Sequence, residues 1–276
     1  MRDVELDEGS GAVVGRRLVL AAVGVTLLAG CTSSAERLTS TARTSQARPG
    51  AKAAGGIQRS APPGPGGQGS HSGTPGGLDR FADRPEFTVR NGPQAIALTI
   101  DDGPDARYTP QVLAVLQRYN VTATFSMIGR QVAELPGLAR EVSAAGHQIS
   151  NHTWRHRNLQ AMAASAALDE MDRATDAIQS QVGLTPRYFR APYGAWTRAV
   201  LRRCVAQDML PLDWSVDPKD WARPGVSYIV RDILRHTRTG SIILEHDGGG
   251  NRAQTVAALG IVIPRLLEAG YRFTTP

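Results

Sequence analysis

Two adjacent carboxylates, Asp101 and Asp102, follow an apolar run that is typical of a β-strand. The run from Ile96 is rich in β-branched residues, and Gly103-Pro104 turns the chain directly after the two acids. In parallel α/β proteins, functional groups collect at the carboxyl ends of strands. Acids before Gly-Pro are also common in ordinary polar turns, so this segment gains meaning only from the other strand ends.

Four further strand-like segments are followed by ionisable side chains in the same way. In chain order these are His152 with His156, Arg190, Asp217 with Asp220, and His246 with Asp247. A closed barrel delivers the carboxyl ends of its parallel strands to one mouth, so we expect these groups to surround one site. Independent surface residues would be scattered over both ends of the barrel.

The spacing of His152 and His156 places two imidazoles on one side of a helical turn or a tight loop. Alone, this spacing is equally compatible with two exposed histidines. With a carboxylate from another strand, two neutral imidazoles give zinc three protein ligands and leave a position for water, which is the catalytic pattern. A structural zinc site based on cysteine is excluded, because the sequence has only two cysteines.

Five segments resemble, in order, the five motifs of the polysaccharide deacetylases, a family also called the NodB-homology domain or carbohydrate esterase family four. They read Thr-Ile-Asp-Asp-Gly-Pro, His-Thr-Trp-Arg-His, Arg-Ala-Pro-Tyr-Gly, Asp-Pro-Lys-Asp-Trp and Leu-Glu-His-Asp. The resemblance extends from about Phe87 to Phe273. It implies a distorted (β/α) barrel of about seven parallel strands, a divalent metal (zinc, cobalt or another ion), and removal of N-acetyl or O-acetyl groups from glycans.

The resemblance also implies roles for the acids and histidines of the first two motifs. Asp101 matches the general base of the family. Asp102, His152 and His156 match the three metal ligands. Arg190, in the third motif, matches the arginine that holds the carboxylate of the base.

The remaining matches are to groups that bind substrate or protonate the leaving group. The backbone N–H of Tyr193 matches the donor to the oxyanion, and Trp221 lines the substrate groove. His246 matches the general acid, and Asp220 the carboxylate that orients its imidazole. Leu244 matches a wall of the acetate pocket.

Three positions depart from the usual motifs of the family. Ile100 stands where Phe is most frequent, and Ala191 replaces a frequent Pro. Glu245 stands where an apolar residue is common. We expect Glu245 to face the outside of the barrel as a solvated acid, with a place in the groove as the alternative.

Strand-like and helix-like segments alternate from Pro85 onward, which predicts a single α/β domain over residues 85–276. The predicted strands begin near Ile96, Val121, His147, Arg187, Met209, Ser241 and Tyr271. The predicted helices begin near Thr109, Pro136, Gln160, Trp196, Pro224 and Gln254. Thr109 is predicted to cap its helix, and Cys204 is interpreted as a small buried apolar residue.

The N-terminal region predicts export and a lipid anchor. Residues 1–30 carry Arg16-Arg17 before a short apolar run, which is typical of a signal peptide, by a general or a twin-arginine route. The run ends at Cys31 in a segment that resembles a lipoprotein lipobox, with lipidation of the Cys31 thiol; an ordinary export signal is the alternative. Residues 31–84 are Gly- and Pro-rich and predict a flexible tether to a membrane-anchored, extracytoplasmic domain.

Partners follow from this location and from charge. Peptidoglycan amino sugars are the favoured substrate, ahead of chitin oligomers and acetylated xylan. A non-catalytic glycan-binding lipoprotein is an alternative of another class. Nucleic-acid binding is not expected, because residues 85–276 contain 21 Lys and Arg against 18 Asp and Glu and show no basic stripe with interleaved aromatics. The chain is expected to act as a monomer.

Overall fold

The strand that ends at the two acids lies inside the sheet, with a neighbouring strand on either side. The computed structural model describes Phe81 and residues 83–276. Within this part of the chain, β1 (Ala95–Asp101) has all of its residues buried. Its side chains point alternately to the two sides of the sheet. The side that faces the helices carries Ile96, Leu98 and Ile100, and the side that faces the interior of the barrel carries Thr99 and Asp101.

The described chain contains seven strands and seven α-helices. The other strands are β2 (Thr124–Met127), β3 (Gln148–Asn151), β4 (Tyr188–Phe189), β5 (Leu210–Pro211), β6 (Ile242–His246) and β7 (Arg272–Phe273). The helices are α1 (Thr109–Tyr119), α2 (Gly129–Glu134), α3 (Pro136–Ala144), α4 (Ala164–Val182), α5 (Arg198–Ala206), α6 (Val226–His236) and α7 (Ala253–Glu268).

The strands form one parallel sheet in the order β5-β4-β3-β2-β1-β6, and β7 pairs with the first residues of β1. The chain after β5 returns to β6 through a parallel bridge between Val216 and Ile243. The sheet therefore curls with helices around it, and the predicted distorted (β/α) barrel is confirmed. The carboxyl ends of β1, β3, β4 and β6 open on the same side, where the ionisable residues follow them.

The main core lies between the sheet and the helices. It contains apolar side chains of β1, β2 and β6 packed against α1, α3, α6 and α7. A second cluster joins α4 and α5 to β4 and includes Cys204, which is fully buried as predicted. Burial raises the pKa of the Cys204 thiol far above its usual range, so this cysteine behaves as an apolar core residue.

Several local predictions need correction. Thr109 does not cap α1: the N-cap is Tyr108, and the Thr109 hydroxyl instead donates to Asp247 Oδ2 at 2.6 Å. The long helix α4 begins at Ala164, because a short 3₁₀ turn at Leu159–Ala161 precedes it. Helix α2 was not predicted, since six residues are too few to show a periodic apolar face.

The N-terminal predictions lie outside the described residues. They comprise the signal peptide at 1–30, the lipidated Cys31 and most of the tether at 31–84. Within the described part of the chain, no helix combines the length and the apolar character needed to cross a membrane.

Candidate active site

Asp102, His152 and His156 converge beyond the carboxyl ends of β1 and β3. Asp102 Oδ1 lies 3.1 Å from His156 Nε2 and 3.6 Å from His152 Nε2. One potential ligand atom from each residue lies within 4.8 Å of the other two. The structure therefore brings the three predicted metal ligands to one point, from motifs that are about 50 residues apart in sequence.

The chemistry of this cluster fits a divalent cation. Asp102 Oδ1 is buried, and no described donor makes a hydrogen bond of good geometry to it. His152 Nδ1 lies 2.8 Å from the carbonyl oxygen of Arg190, so Nδ1 must carry the hydrogen and the lone pair of Nε2 faces Asp102. One carboxylate and two imidazoles are a ligand set that zinc and similar ions accept.

The protonation of the cluster agrees with this interpretation. Burial, aided by the nearby His152, lowers the pKa of His156 to about 4, so this imidazole is neutral at pH 7. Burial alone would raise the pKa of Asp102, but the imidazoles of His152 and His156 outweigh it and lower the pKa below its usual range. An anionic oxygen and a free imidazole nitrogen are the forms that bind a metal.

The carboxylate of Asp101 is held beside this cluster by a fully buried arginine. Arg190 Nη1 donates to Asp101 Oδ1 at 2.8 Å, which leaves Asp101 Oδ2 3.7 Å from His152 Nε2. The remaining donors of Arg190 reach Thr99 Oγ1 (2.7 Å), Leu212 O (3.3 Å) and Asp213 O (2.9 Å). Because every arm of the guanidinium is fixed, the free oxygen of Asp101 is aimed at the cluster.

His246 and Asp220 form a second pair in the same mouth. His246 Nδ1 lies 2.7 Å from Asp220 Oδ1, and the backbone N–H of His246 donates to Asp220 Oδ2 at 3.0 Å. Burial lowers the pKa of His246, but its hydrogen bond to Asp220 and the charge of that carboxylate raise it more, to about 9. The imidazole is therefore protonated at neutral pH and carries a transferable hydrogen on Nε2.

These groups line one cavity of about 500 Å³. Trp221 and Tyr193 stand at its rim with 51% and 68% of their surface exposed, so their rings are free to stack on a sugar. The ring of Tyr193 meets that of His156 edge-on at 4.7 Å between centroids. Tyr193 has a φ of +61°, a strained conformation of the kind that collects at functional sites.

All ten predicted site residues of the described chain lie in or directly behind this cavity. Eight of them line it, namely Asp101, Asp102, His152, His156, Tyr193, Trp221, Leu244 and His246. Arg190 and Asp220 stand behind Asp101 and His246. Their proximity is a finding of the structure, while the catalytic roles assigned to them remain predictions.

Two supporting residues were missed from the sequence. Thr99 accepts from Arg190, and its position two residues before Asp101 on the same strand face could have indicated this. Thr255, on α7, donates to Asp220 Oδ2 at 2.7 Å. No sequence signal indicates this second contact, because it depends on how α7 packs against the turn at Asp220–Ala222.

The expectation that Glu245 is a solvated acid is wrong. Glu245 lies on the side of β6 that faces away from the cavity, between two cavity-lining neighbours, Leu244 and His246. Glu245 therefore points to the outside of the barrel, as expected. Its relative exposure to solvent is nevertheless 0%, so it is buried. The alternation of a strand predicts which side a residue faces, and it does not predict what covers that side.

Comparisons with known proteins give consistent matches. The family model described as polysaccharide deacetylase matches residues 88–209. A chitooligosaccharide deacetylase of Bradyrhizobium sp. (strain ANU 289) is 41% identical over 203 residues, which cover 69% of this chain and 93% of that protein. A peptidoglycan-N-acetylglucosamine deacetylase of Bacillus cereus is 41% identical over 196 residues, covering 68% and 89%. A crystal structure of a peptidoglycan N-acetylglucosamine deacetylase in complex with 4-naphthalen-1-yl-N-oxidanyl-benzamide has a TM-score of 0.66 and 32% identity, covering 68% of this chain and 89% of that one.

Proposed function

Because the chain belongs to the polysaccharide deacetylase family, we propose that it is a metal-dependent hydrolase that removes N-acetyl groups from cell-wall glycans. The observation that carries the proposal is the convergence of Asp102, His152 and His156 beside Asp101 in one open cavity. These three residues would hold a divalent ion, probed first with zinc. When bound, the ion supplies Lewis acidity, which makes water a stronger acid and stabilises negative charge on an acetyl oxygen.

The residues of the chain supply the proton transfers. Arg190 holds Asp101 in place, and Asp101 accepts a proton from the attacking water while the oxygen of that water bonds to the acetyl carbon. The backbone N–H of Tyr193 donates to the oxyanion; loss of such a donor typically lowers the rate by ~10²–10³. As the carbon–nitrogen bond breaks, His246 gives the proton on its Nε2 to the amine, and Asp220 holds the ring in place. The products are acetate and a free amino sugar.

The favoured substrates are N-acetylglucosamine and N-acetylmuramic acid residues of peptidoglycan. Two features support this choice. The predicted lipid anchor and tether would bring the domain beside the wall, and several relatives are named peptidoglycan-N-acetylglucosamine deacetylases. Chitin oligomers come second, supported by the relatives that are named chitooligosaccharide deacetylases. Acetylated xylan, an ester substrate, comes third.

Acetate release separates these substrates. Purified metal-loaded protein is given peptidoglycan, chitin oligomers and acetylated xylan at matched acetyl content, with Asp101→Asn as the inactive control. We expect turnover on peptidoglycan to be fastest. Turnover of xylan with none of the wall glycan would overturn the choice of substrate, and no turnover of any glycan would favour the glycan-binding alternative.

The proposed location is an extracytoplasmic, membrane-anchored lipoprotein. It rests on the segment that ends at Cys31, so Cys31→Ser is the direct test in cells that process lipoproteins. We expect the wild-type chain to label with a radioactive fatty acid and to sediment with membranes. The Cys31→Ser chain should do neither, and wild-type chain that is unlabelled would contradict the anchor.

A further inference from the structure

Glu245 is a buried acid that the proposed mechanism does not use. It lies on β6, next to the general acid His246, and its backbone pairs in register with Ile100 of β1. Within the described chain, no N–H or O–H group of another residue donates to either of its side-chain oxygens. Asp220 is nevertheless close, because its Oδ2 accepts from the backbone N–H of His246, the residue next to Glu245. The carboxylate of Asp220 acts on the carboxyl group of Glu245.

Two ionised carboxylates repel each other in a buried position, so we expect this pair to hold one proton. The surroundings assign that proton to Glu245. Asp220 already accepts from His246 Nδ1, the His246 backbone N–H and Thr255 Oγ1, and all three donors stabilise its ionised form. Glu245 has no such donors, and ionised side chains without donors are very unfavourable in a buried position.

The charges around Glu245 agree with this assignment. Burial raises the pKa of Glu245 well above its usual range, and the carboxylates of Asp220 and Asp217 add to this effect. The guanidinium of Arg252 acts in the opposite direction without offsetting it. The hydrogen bonds of Arg252 go to the carbonyl oxygens of Gly248 and Trp221.

We propose that Glu245 is a positioning residue whose protonated carboxyl group donates to Asp220 and thereby tunes the carboxylate that orients the general acid His246. The inference rests on the proposed function. It concerns a position where the family commonly has an apolar residue, so it describes a feature of this chain. Its physical basis is that a carboxylate has about four acceptor sites, and Glu245 supplies the fourth donor to Asp220.

The fourth donor spreads the negative charge of Asp220 over more hydrogen bonds. A carboxylate with less concentrated charge stabilises the imidazolium of His246 less strongly, so the proton on Nε2 is easier to transfer. Without Glu245 as a donor, the negative charge of Asp220 acts more strongly on His246 and raises the pKa of its imidazole further. His246 then becomes a weaker acid, and protonation of the leaving amine slows.

Two variants of similar size separate hydrogen bonding from packing. Glu245→Met removes the donor, while Glu245→Gln replaces the O–H donor with an amide N–H. In the metal-loaded full chain, we expect Glu245→Met to lower kcat about tenfold, the effect of one hydrogen bond to a charged group, with KM unchanged. The alkaline limb of the kcat profile should move to higher pH by roughly half a unit or more.

Glu245→Gln should restore both kcat and the position of the limb. The matched control is Ile243→Met, at the neighbouring position on the same side of β6, where kcat and the limb should match wild type. A Glu245→Met enzyme with wild-type kcat and limb would overturn the inference. A Glu245→Gln enzyme as impaired as Glu245→Met would overturn it equally.

A spectroscopic measurement decides the question without activity or the Met variant. A protonated carboxylic acid has an infrared C=O stretch that a carboxylate lacks. We expect the wild-type minus Glu245→Gln difference spectrum at pH 7 to contain this band. Its absence would show that Glu245 is ionised and would end the inference, whereas wild-type protein inactive on every glycan would refute only the proposed function.

Discussion

The free oxygen of Asp101 is the atom on which the proposed chemistry depends. Arg190 occupies Asp101 Oδ1, and Oδ2 points to the metal cluster from 3.7 Å away. A base at this place removes a proton without being a ligand itself. The distinction between base and ligand can be tested, because the two kinds of residue predict different losses.

We predict that Asp101→Asn lowers kcat by at least ~10², the lower range for a general base, while one zinc per chain stays bound. His152→Ala should lose both turnover and tight zinc binding, because it removes a ligand. Acetate release together with metal analysis after dialysis measures both properties. Full activity in metal-saturated Asp101→Asn would remove Asp101 from the role of base.

The His246–Asp220 pair predicts a pH dependence with a definite sign. Asp220 raises the pKa of His246 to about 9, which is above the pKa of a histidine in the unfolded chain. The pair therefore contributes its full stabilisation to the fold at any pH below the pKa of the unfolded state. This contribution is lost as the pH rises through 9, together with the proton that the reaction needs.

Asp220→Asn should move the alkaline limb of the rate profile to lower pH. The substitution removes the charge that raises the pKa of His246, and burial, which lowers it, remains. Activity near pH 8 should therefore fall more than activity near pH 6. Rate profiles of the two proteins on one N-acetylated oligomer measure this, and an unmoved limb would show that Asp220 does not control the acid.

At the scale of elements, Gly129 allows α2 to pack closely against α4 because it has no side chain. A Cβ atom on Gly129 would lie 2.7 Å from the Cα of Ala174 and 2.9 Å from the ring of Trp154, so the two helices approach closely at this point. Trp154 lies between the ligands His152 and His156, which places this contact next to the metal cluster. A small residue at the start of α2 thus helps to position the segment that bears two ligands.

We predict that Gly129→Ala destabilises the fold by about 1–3 kcal/mol, the usual range for overpacking. Gly137→Ala in α3 is the matched control, because nothing lies within 4 Å of the added Cβ. There, alanine should be neutral or stabilising by about 0.5–1 kcal/mol. Thermal unfolding of the two variants and the wild type measures the effect. A Gly129→Ala protein with the same Tm as Gly137→Ala would contradict the close approach of α2 and α4.

The order of the elements was predictable from the sequence, while their lengths were less so. The seven-residue strand β1 is mostly apolar and ends at Asp101 before a turn, and the sequence predicts its start to within one residue. In contrast, β4 and β5 are only two residues long and pair over both residues. Local patterns do not encode how far two strands stay paired.

At the scale of the whole molecule, the residues that line the candidate site can be predicted from the sequence better than the buried residues behind them. Acids and histidines at successive strand ends must meet wherever parallel strands share a barrel mouth, and Asp101, Asp102, His152, His156 and His246 do meet there. The buried state of Glu245 and the contact of Thr255 with Asp220 depend on how helices cover the sheet. Neither has a signal in the order of the residues.

The folded domain therefore gathers groups from four strand ends around one point that suits a cation. Chelator should remove the ion and abolish activity, because without it Asp102 and the two imidazoles are only a buried cluster with an unpaired oxygen. Zinc or cobalt should then restore turnover as the three ligands are filled. His156→Ala is the matched control, since it removes one ligand and should prevent restoration at the same metal concentration.

The most direct measurement is a zinc titration of chelated full-length protein, with acetate release from N-acetylated glycan followed at each step. We predict no activity at the start, a linear rise, and a plateau at one zinc per chain, with no rise in His156→Ala. Full turnover by the chelated protein, unchanged by added zinc or cobalt, would contradict the account.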